Sequence, residues 1–157
     1  MRILVMSDCH GAQGTMEKVL QKHGDIKKVF FLGDGVTQVE EVMHFFPDRD
    51  FKIVSGNCDW DPVYPSFSNT TVEGVKILFT HGHRFGVKGS RERLFEMARA
   101  MGAALVLYGH THIADVEYCD GVYMVNPGAL NGSRNGPNGY AIIDITSAGI
   151  MPSLMKI

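Results

Sequence analysis

Short apolar runs and helical stripes alternate along the first two thirds of the chain. Residues 3–6 (ILVM) are uninterrupted apolar positions, which predicts a buried strand. Met16, Val19, Leu20 and His23 follow at i, i+3, i+4 and i+7, one face of a helix, with Gly24 placed to stop it. Residues 29–32 (VFFL) predict a second buried strand. Val39, Val42, Met43 and Phe46 predict a second helix, closed by Pro47, and residues 51–54 a third strand. An irregular stretch containing Pro62 and Pro65 leads to a fourth buried strand at 75–79. Ser90 can cap a third helix that carries Leu94, Met97, Ala98 and Met101 on one face and ends at Gly102. Residues 104–107 predict a fifth strand. The remainder reads as a β-meander: 114–118 and 122–125 around an Asp120-Gly121 turn, then 140–145 and 150–154. No internal repeat or linker interrupts the pattern, which predicts one domain over residues 1–157, of α/β class with mixed sheets.

Polar residues gather where these strands end. Asp8 and His10 follow the first strand, Asp34 the second, Asn57 the third, His81 the fourth, and His110 with His112 the fifth. Each lies beside a glycine-containing turn. In open α/β sheets the carboxyl edge is where ligands bind, so positions far apart in sequence are expected to converge on one point. Two Asp, four His and one Asn make an oxygen and nitrogen donor set that suits Mn, Fe, Co, Ni or Zn better than Mg or Ca. Seven protein ligands are too many for one tetrahedral ion and natural for two. Two ions ~3.5–4 Å apart form a clamp for in-line displacement at phosphorus.

Composition narrows the classes. The 157 residues carry 15 Lys and Arg against 17 Asp and Glu, a formal charge of −2, so strong nucleic-acid binding through bulk positive charge is not expected. No apolar run approaches the ~20 residues of a membrane span. The apolar stretch in MRILVMSDCHG is too short for a signal peptide, and the three cysteines form no C-x-x-C pair, so a reducing cytoplasmic setting is expected. Glycine is in excess, 18 residues against roughly 11 at ~7% average usage.

Five short motifs occur in order: S-D-C-H-G at 7–11, G-D-G at 33–35, G-N-C-D at 56–59, T-H-G-H at 80–83 and G-H-T-H at 109–112, followed by N-P-G at 126–128. Together they resemble the calcineurin-like phosphoesterase superfamily, and within it the small YfcE-like metallophosphoesterases. The resemblance implies a four-layer αββα sandwich with two mixed β-sheets, the metallophosphoesterase fold. It implies two divalent ions, manganese foremost, with nickel, iron, cobalt and zinc as alternatives. One ion takes Asp8, His10 and His112, the other Asn57, His81 and His110, and Asp34 bridges them. A hydroxide between the ions is the implied nucleophile, and the implied activity is hydrolysis of a small phosphate ester, foremost a phosphodiester. Relatives of this kind form dimers or tetramers, so a homodimer or homotetramer is left open. The small subunit of the retromer sorting complex shares the fold, so a partner-binding scaffold is the rival expectation.

One departure matters. Many superfamily members read G-N-H-[DE], where the His stabilises charge and protonates the leaving group; here the position is Cys58. A thiol with pKa near ~8.5 is a poor donor to an alkoxide and brings no positive charge. Fast turnover is therefore expected only for good leaving groups. Asp59, by analogy, orients a neighbour. His83, two residues past His81, either contacts phosphate or holds a ligand by a hydrogen bond. Cys9, between two ligands, is expected to face away and pack. Trp60, Tyr64 and Phe67 form either a substrate wall or a loop anchored by aromatics and prolines. Arg134 either reaches a phosphate or sits in a mobile Gly/Asn-rich loop, and Arg91, Arg93 and Arg99 are expected on a solvated helix face.

Overall fold

The computed structural model describes residues 1–60 and 63–157, so Pro62 lies outside the described residues. The alternation at β1 (Arg2–Met6) sets the architecture. Leu4 and Met6 point to one side of the strand, where they pack with Met16, Val19 and Leu20 of α1 (Gln13–Lys22) and with Val39 and Val42 of α2 (Val36–Met43). Ile3 and Val5 point to the other side. There they join Phe30 of β2 (Lys28–Phe31), Phe79 of β5 (Val75–Thr80) and Leu105 and Leu107 of β6 (Leu105–Leu107). A third apolar layer sets Leu78 and Val106 against Leu94 and Ala98 of α3 (Glu92–Met101). Successive residues of a strand face opposite sides, so two central strands buried on both faces demand helix, sheet, sheet and helix in that order.

With β3 at Asp50–Ile53, β4 at Phe67–Val72, β7 at Asp115–Cys119, β8 at Val122–Asn126, β9 at Gly139–Thr146 and β10 at Gly149–Lys156, the first sheet has the order β10-β9-β1-β2-β3 and the second β4-β5-β6-β8-β7. Both are mixed: β1 runs parallel to β2 and antiparallel to β9, and β6 runs parallel to both β5 and β8. Phe30 and Phe79 meet edge to face between the sheets, with ring centroids 5.1 Å apart, an arrangement that adds to area burial.

Three expectations need correction. The carboxyl-terminal third is two hairpins in different sheets, not one meander. β7 (Asp115–Cys119) and β8 (Val122–Asn126) extend the second sheet, while β9 (Gly139–Thr146) and β10 (Gly149–Lys156) cross to the first. α2 stops at Met43, and Phe46 packs against the core from the turn beyond it. Between β3 (Asp50–Ile53) and β5 runs an additional strand, β4 (Phe67–Val72), antiparallel to β5. Phe67 belongs to that strand, Tyr64 packs on the first apolar layer and Trp60 is 95% exposed, so the three aromatics build no common wall.

Candidate metal centre

The seven polar residues singled out above lie in the turns that leave β1, β2, β3, β5 and β6 at their carboxyl ends. The sandwich brings these turns together. His112 Nε2 stands 3.1 Å from Asp8 Oδ1 and 3.1 Å from His10 Nε2. Beside this group, His81 Nε2 is 3.2 Å from both Asn57 Oδ1 and His110 Nδ1. Asp34 lies between, with Oδ2 at 3.7 Å from His10 Nε2 and 3.4 Å from His81 Nε2. Ligand atoms of Asp8, His10 and His112 all fall within 4.8 Å of one another, as do those of Asp8, Asp34 and His81.

These side chains are aimed by their neighbours. His81 Nδ1 contacts the Leu32 carbonyl at 2.7 Å and His112 Nδ1 the Gly132 carbonyl at 2.8 Å. As donors to those oxygens, both rings, when neutral, keep Nε2 bare toward the centre. Asp59 accepts the backbone N–H groups of Asp34, Gly35, Val36 and Gly56; it orients the Asp34 turn, as its position by analogy suggested. Asn126 of the N-P-G motif is fully buried and donates to the Gly109 carbonyl and Thr111 Oγ1, fixing the turn between His110 and His112. Close approach requires glycine at several of these turns, Gly56 and Gly109 most tightly. A Cβ at Gly56 would stand 2.0 Å from Asp34 Oδ1, and one at Gly109 2.0 Å from Ser7 Oγ. Five of the seven candidate ligands, Asp8, His10, Asp34, His110 and His112, have positive φ, between 43° and 70°. Such angles in non-glycine residues cost energy and collect at functional sites.

Burial and charge set the protonation states. Burial alone would raise the carboxyl pKa of Asp34, but His81 and the Cys58 amide hold it well below the usual range. Burial of Asp8 is likewise overcome by His112, His81 and Ser7. His81 is raised because the Asp34 and Asp8 carboxylates outweigh its burial, and His112 is raised by Asp8. Burial and the charges of His81 and Lys88 push His110 down to about 4. The Cys58 thiol is pushed up to about 11 by burial and by Asp34, so it is neutral at pH 7. Cys9 is fully buried in the first apolar layer, facing away from the centre as expected, with its thiol at about 11.

The donor set fits divalent cations on one observation. Asp8 Oδ1 is buried and accepts no hydrogen bond among the described residues. Imidazole nitrogens of His112, His10 and His81 approach it at 3.1, 3.8 and 3.9 Å. A buried carboxylate oxygen without a hydrogen bond is costly unless a cation completes it.

A family model described as the calcineurin-like phosphoesterase superfamily domain matches residues 1–148. The chain belongs to that superfamily. It is 29% identical over 147 residues to Bacillus subtilis "Probable metallophosphoesterase YsnB", spanning 92% of this chain and 85% of the relative. It is 32% identical over 142 residues to Schizosaccharomyces pombe vacuolar protein sorting-associated protein 29, spanning 86% and 75%. A Streptococcus pneumoniae crystal structure described as a predicted phosphoesterase superposes with TM-score 0.79 at 29% identity, covering 92% of this chain and 83% of that one. The two mixed five-stranded sheets with three helices match the fold of such superfamily members.

The remaining residues singled out from sequence divide. His83 sits beside the centre, its ring 5.4 Å from that of His81, with Nδ1 buried and without a hydrogen-bond partner among the described residues. Cys58 Sγ lies within 4.8 Å of ligand atoms of His10 and Asp34. Arg134 is tied to the centre through its backbone, which donates to the His112 carbonyl at 3.1 Å. Arg91 leaves the solvated face to pair with Asp115 and Glu117. Sequence reasoning missed Lys88, whose charge is felt at His110; its only local signal is a basic residue in the glycine-rich segment after His83.

Proposed function

We propose that the chain is a metal-dependent phosphodiesterase with a dinuclear centre. The buried Asp8 Oδ1 without a hydrogen bond, at the meeting point of two donor sets joined by Asp34, carries this reading. Asp8, His10 and His112 would hold one divalent ion and Asn57, His81 and His110 the other, with Asp34 offering an oxygen to each; manganese is the first candidate. Such ions supply positive charge at phosphorus and acidify water enough to attack it at neutral pH. The residues around them do the rest. His83 is half-buried, with a pKa lowered by burial and by His81, which makes it a neutral hydrogen-bonding group for a phosphate oxygen. Cys58 presents an uncharged thiol where a cationic acid would protonate the departing oxygen, so the leaving group departs largely on its own stability.

The test is hydrolysis of bis(p-nitrophenyl) phosphate by protein stripped of metal and resupplied with Mn²⁺, Ni²⁺ or Zn²⁺. Turnover returns with metal and is abolished in Asp34→Ala and Asn57→Ala. Undiminished rates after chelation would refute the mechanism. The sequence likeness to a sorting-associated protein favours one rival, a partner-binding scaffold of the same fold. Tight metal binding without turnover on any ester would decide for it.

A further inference from the structure

A cleft of about 690 Å³ opens from Thr111, the residue between His110 and His112. It runs to the segment before α3 and is flanked by Lys88, Arg91, Asp115 and Arg134. The charges in it are not equivalent. Arg91 is engaged: it pairs with Asp115, reaches Glu117 at 3.0 Å and donates to the Tyr108 hydroxyl at 3.1 Å. Lys88 and Arg134 make no ion pair among the described residues. Two of the cations that line the cleft are therefore unpaired among the described residues.

Both cations are held by backbone rather than by carboxylates. Lys88 rides on a tight turn in which the Gly89 and Ser90 amides donate to the Gly86 carbonyl at 2.9 and 3.2 Å. The Arg134 amide donates a hydrogen bond to the His112 carbonyl, and the preceding Ser133 amide donates to Asn138 Oδ1 at 3.1 Å. Both line the cleft that opens from Thr111, and the Arg134 backbone is hydrogen-bonded directly to His112. A separate cleft of about 270 Å³ beside Asp34 and Cys58 is lined by Thr37, Gln38, Glu40 and Trp60, with no Lys or Arg among the described residues that line it. The two clefts that reach the centre thus differ in sign. A diester bound at phosphorus sends one arm each way, and only one side rewards a negative charge.

We infer that Lys88 and Arg134 form an anion subsite that selects phosphate esters carrying a second acidic group, a carboxylate or a phosphate, on one arm. The inference rests on the phosphodiesterase reading above for its use in turnover and on the cleft alone for binding. Guanidinium and ammonium suit such a group as fork and point charge respectively.

The test uses Mn²⁺-reconstituted protein and three p-nitrophenyl diesters with the same leaving group, whose second arm is butyl, 3-carboxypropyl or 3-phosphonooxypropyl. The expected kcat/KM for the acidic arms exceeds that for butyl by about tenfold or more at low salt, the size of one or two charge-assisted hydrogen bonds, and the preference shrinks as salt rises. Whichever acidic arm is preferred tells carboxylate from phosphate. In Lys88→Gln/Arg134→Gln the ratio falls to about one, while Arg93→Gln, on the exposed face of α3, keeps the wild-type ratio. A second readout needs no turnover. Inorganic phosphate titrated into metal-stripped protein should shift the amide resonances of Gly89 and Ser133, and not those of the double variant. A ratio near one while the butyl ester is hydrolysed overturns the subsite, as does wild-type protein whose resonances do not move. If no ester is hydrolysed, the phosphodiesterase reading fails and the resonance shifts decide the subsite alone.

Discussion

Asp59 holds Asp34 by its backbone: Oδ2 accepts the Asp34 amide at 2.8 Å while also accepting that of Gly56 at 2.7 Å. Oδ1 takes the amides of Gly35 and Val36, each at 2.9 Å. One carboxylate thus ties the turn after β2 to the turn after β3 and determines where Asp34 and Asn57 stand relative to each other. Asp59→Ala should lower metal affinity or activity by about 10–100-fold and destabilise the fold by more than about 2 kcal/mol. Calorimetric metal titration and urea unfolding measure the two effects. A loss of stability with metal affinity unchanged would show that Asp59 supports the turn without positioning the ligands.

The left-handed backbone at the candidate ligands predicts a separation of stability from function. At His10, φ is 43°, where any Cβ is strained by about 1–2 kcal/mol. In metal-free protein, His10→Gly should be more stable than His10→Ala by about 1 kcal/mol. At exposed Lys18 in α1 the same pair should reverse, because glycine weakens a helix by about 1 kcal/mol relative to alanine. Urea midpoints of the four variants decide, and equal ordering at both positions contradicts the strain.

The neutral Cys58 thiol predicts a steep dependence on leaving group. Rates on a series of aryl and alkyl diesters should fall sharply as the pKa of the departing alcohol rises, and Cys58→Ser should follow the same line. A flat series would mean that another group protonates the leaving oxygen. The same raised pKa, about 11, predicts that Cys58 of metal-free protein is alkylated by iodoacetamide at pH 8 more slowly than free cysteine, although it is exposed.

Protonation of the histidines should split in metal-free protein. Folded His110 titrates near 4 against 6.5 for an unperturbed imidazole. Between those values the unfolded chain binds a proton that the folded chain does not. The stability this group contributes is therefore complete above pH 6.5 and lost as pH falls toward 4. His81 and His112 are shifted upward, so their contribution is complete below pH 6.5 and lost as pH rises through their folded values. Imidazole resonances followed from pH 3.5 to 9 should show His110 titrating far below the other two. A His110 midpoint above 6 would contradict this ordering.

The candidate ligands were legible because each signal is local: an apolar run, then Asp, Asn or His within a few residues, with a glycine just before or after. What failed was long-range or two-sided. β4 buries only Val72 fully, so its sequence FSNTTV lacks the apolar content of the central strands. The crossing of β9 to pair with β1 leaves no mark distinguishing it from a meander, because the β7–β8 and β9–β10 hairpins look alike in sequence and their partners lie far away. Lys88 acquires meaning only once β5 and β6 pair and set the segment before α3 beside His110.

The candidate centre is divided between the sheets. Asp8, Asp34 and Asn57 leave strands of the first, and His81, His110 and His112 leave strands of the second, with the His81–Leu32 hydrogen bond crossing from one to the other. Neither sheet alone assembles either donor set. Ions held there would therefore bind only after the sheets have docked, late on the folding path. Interactions absent from the folding transition state slow unfolding and leave the folding rate nearly unchanged. The centre would then act as a latch on the finished sandwich, lengthening the lifetime of the native state without helping the chain to reach it.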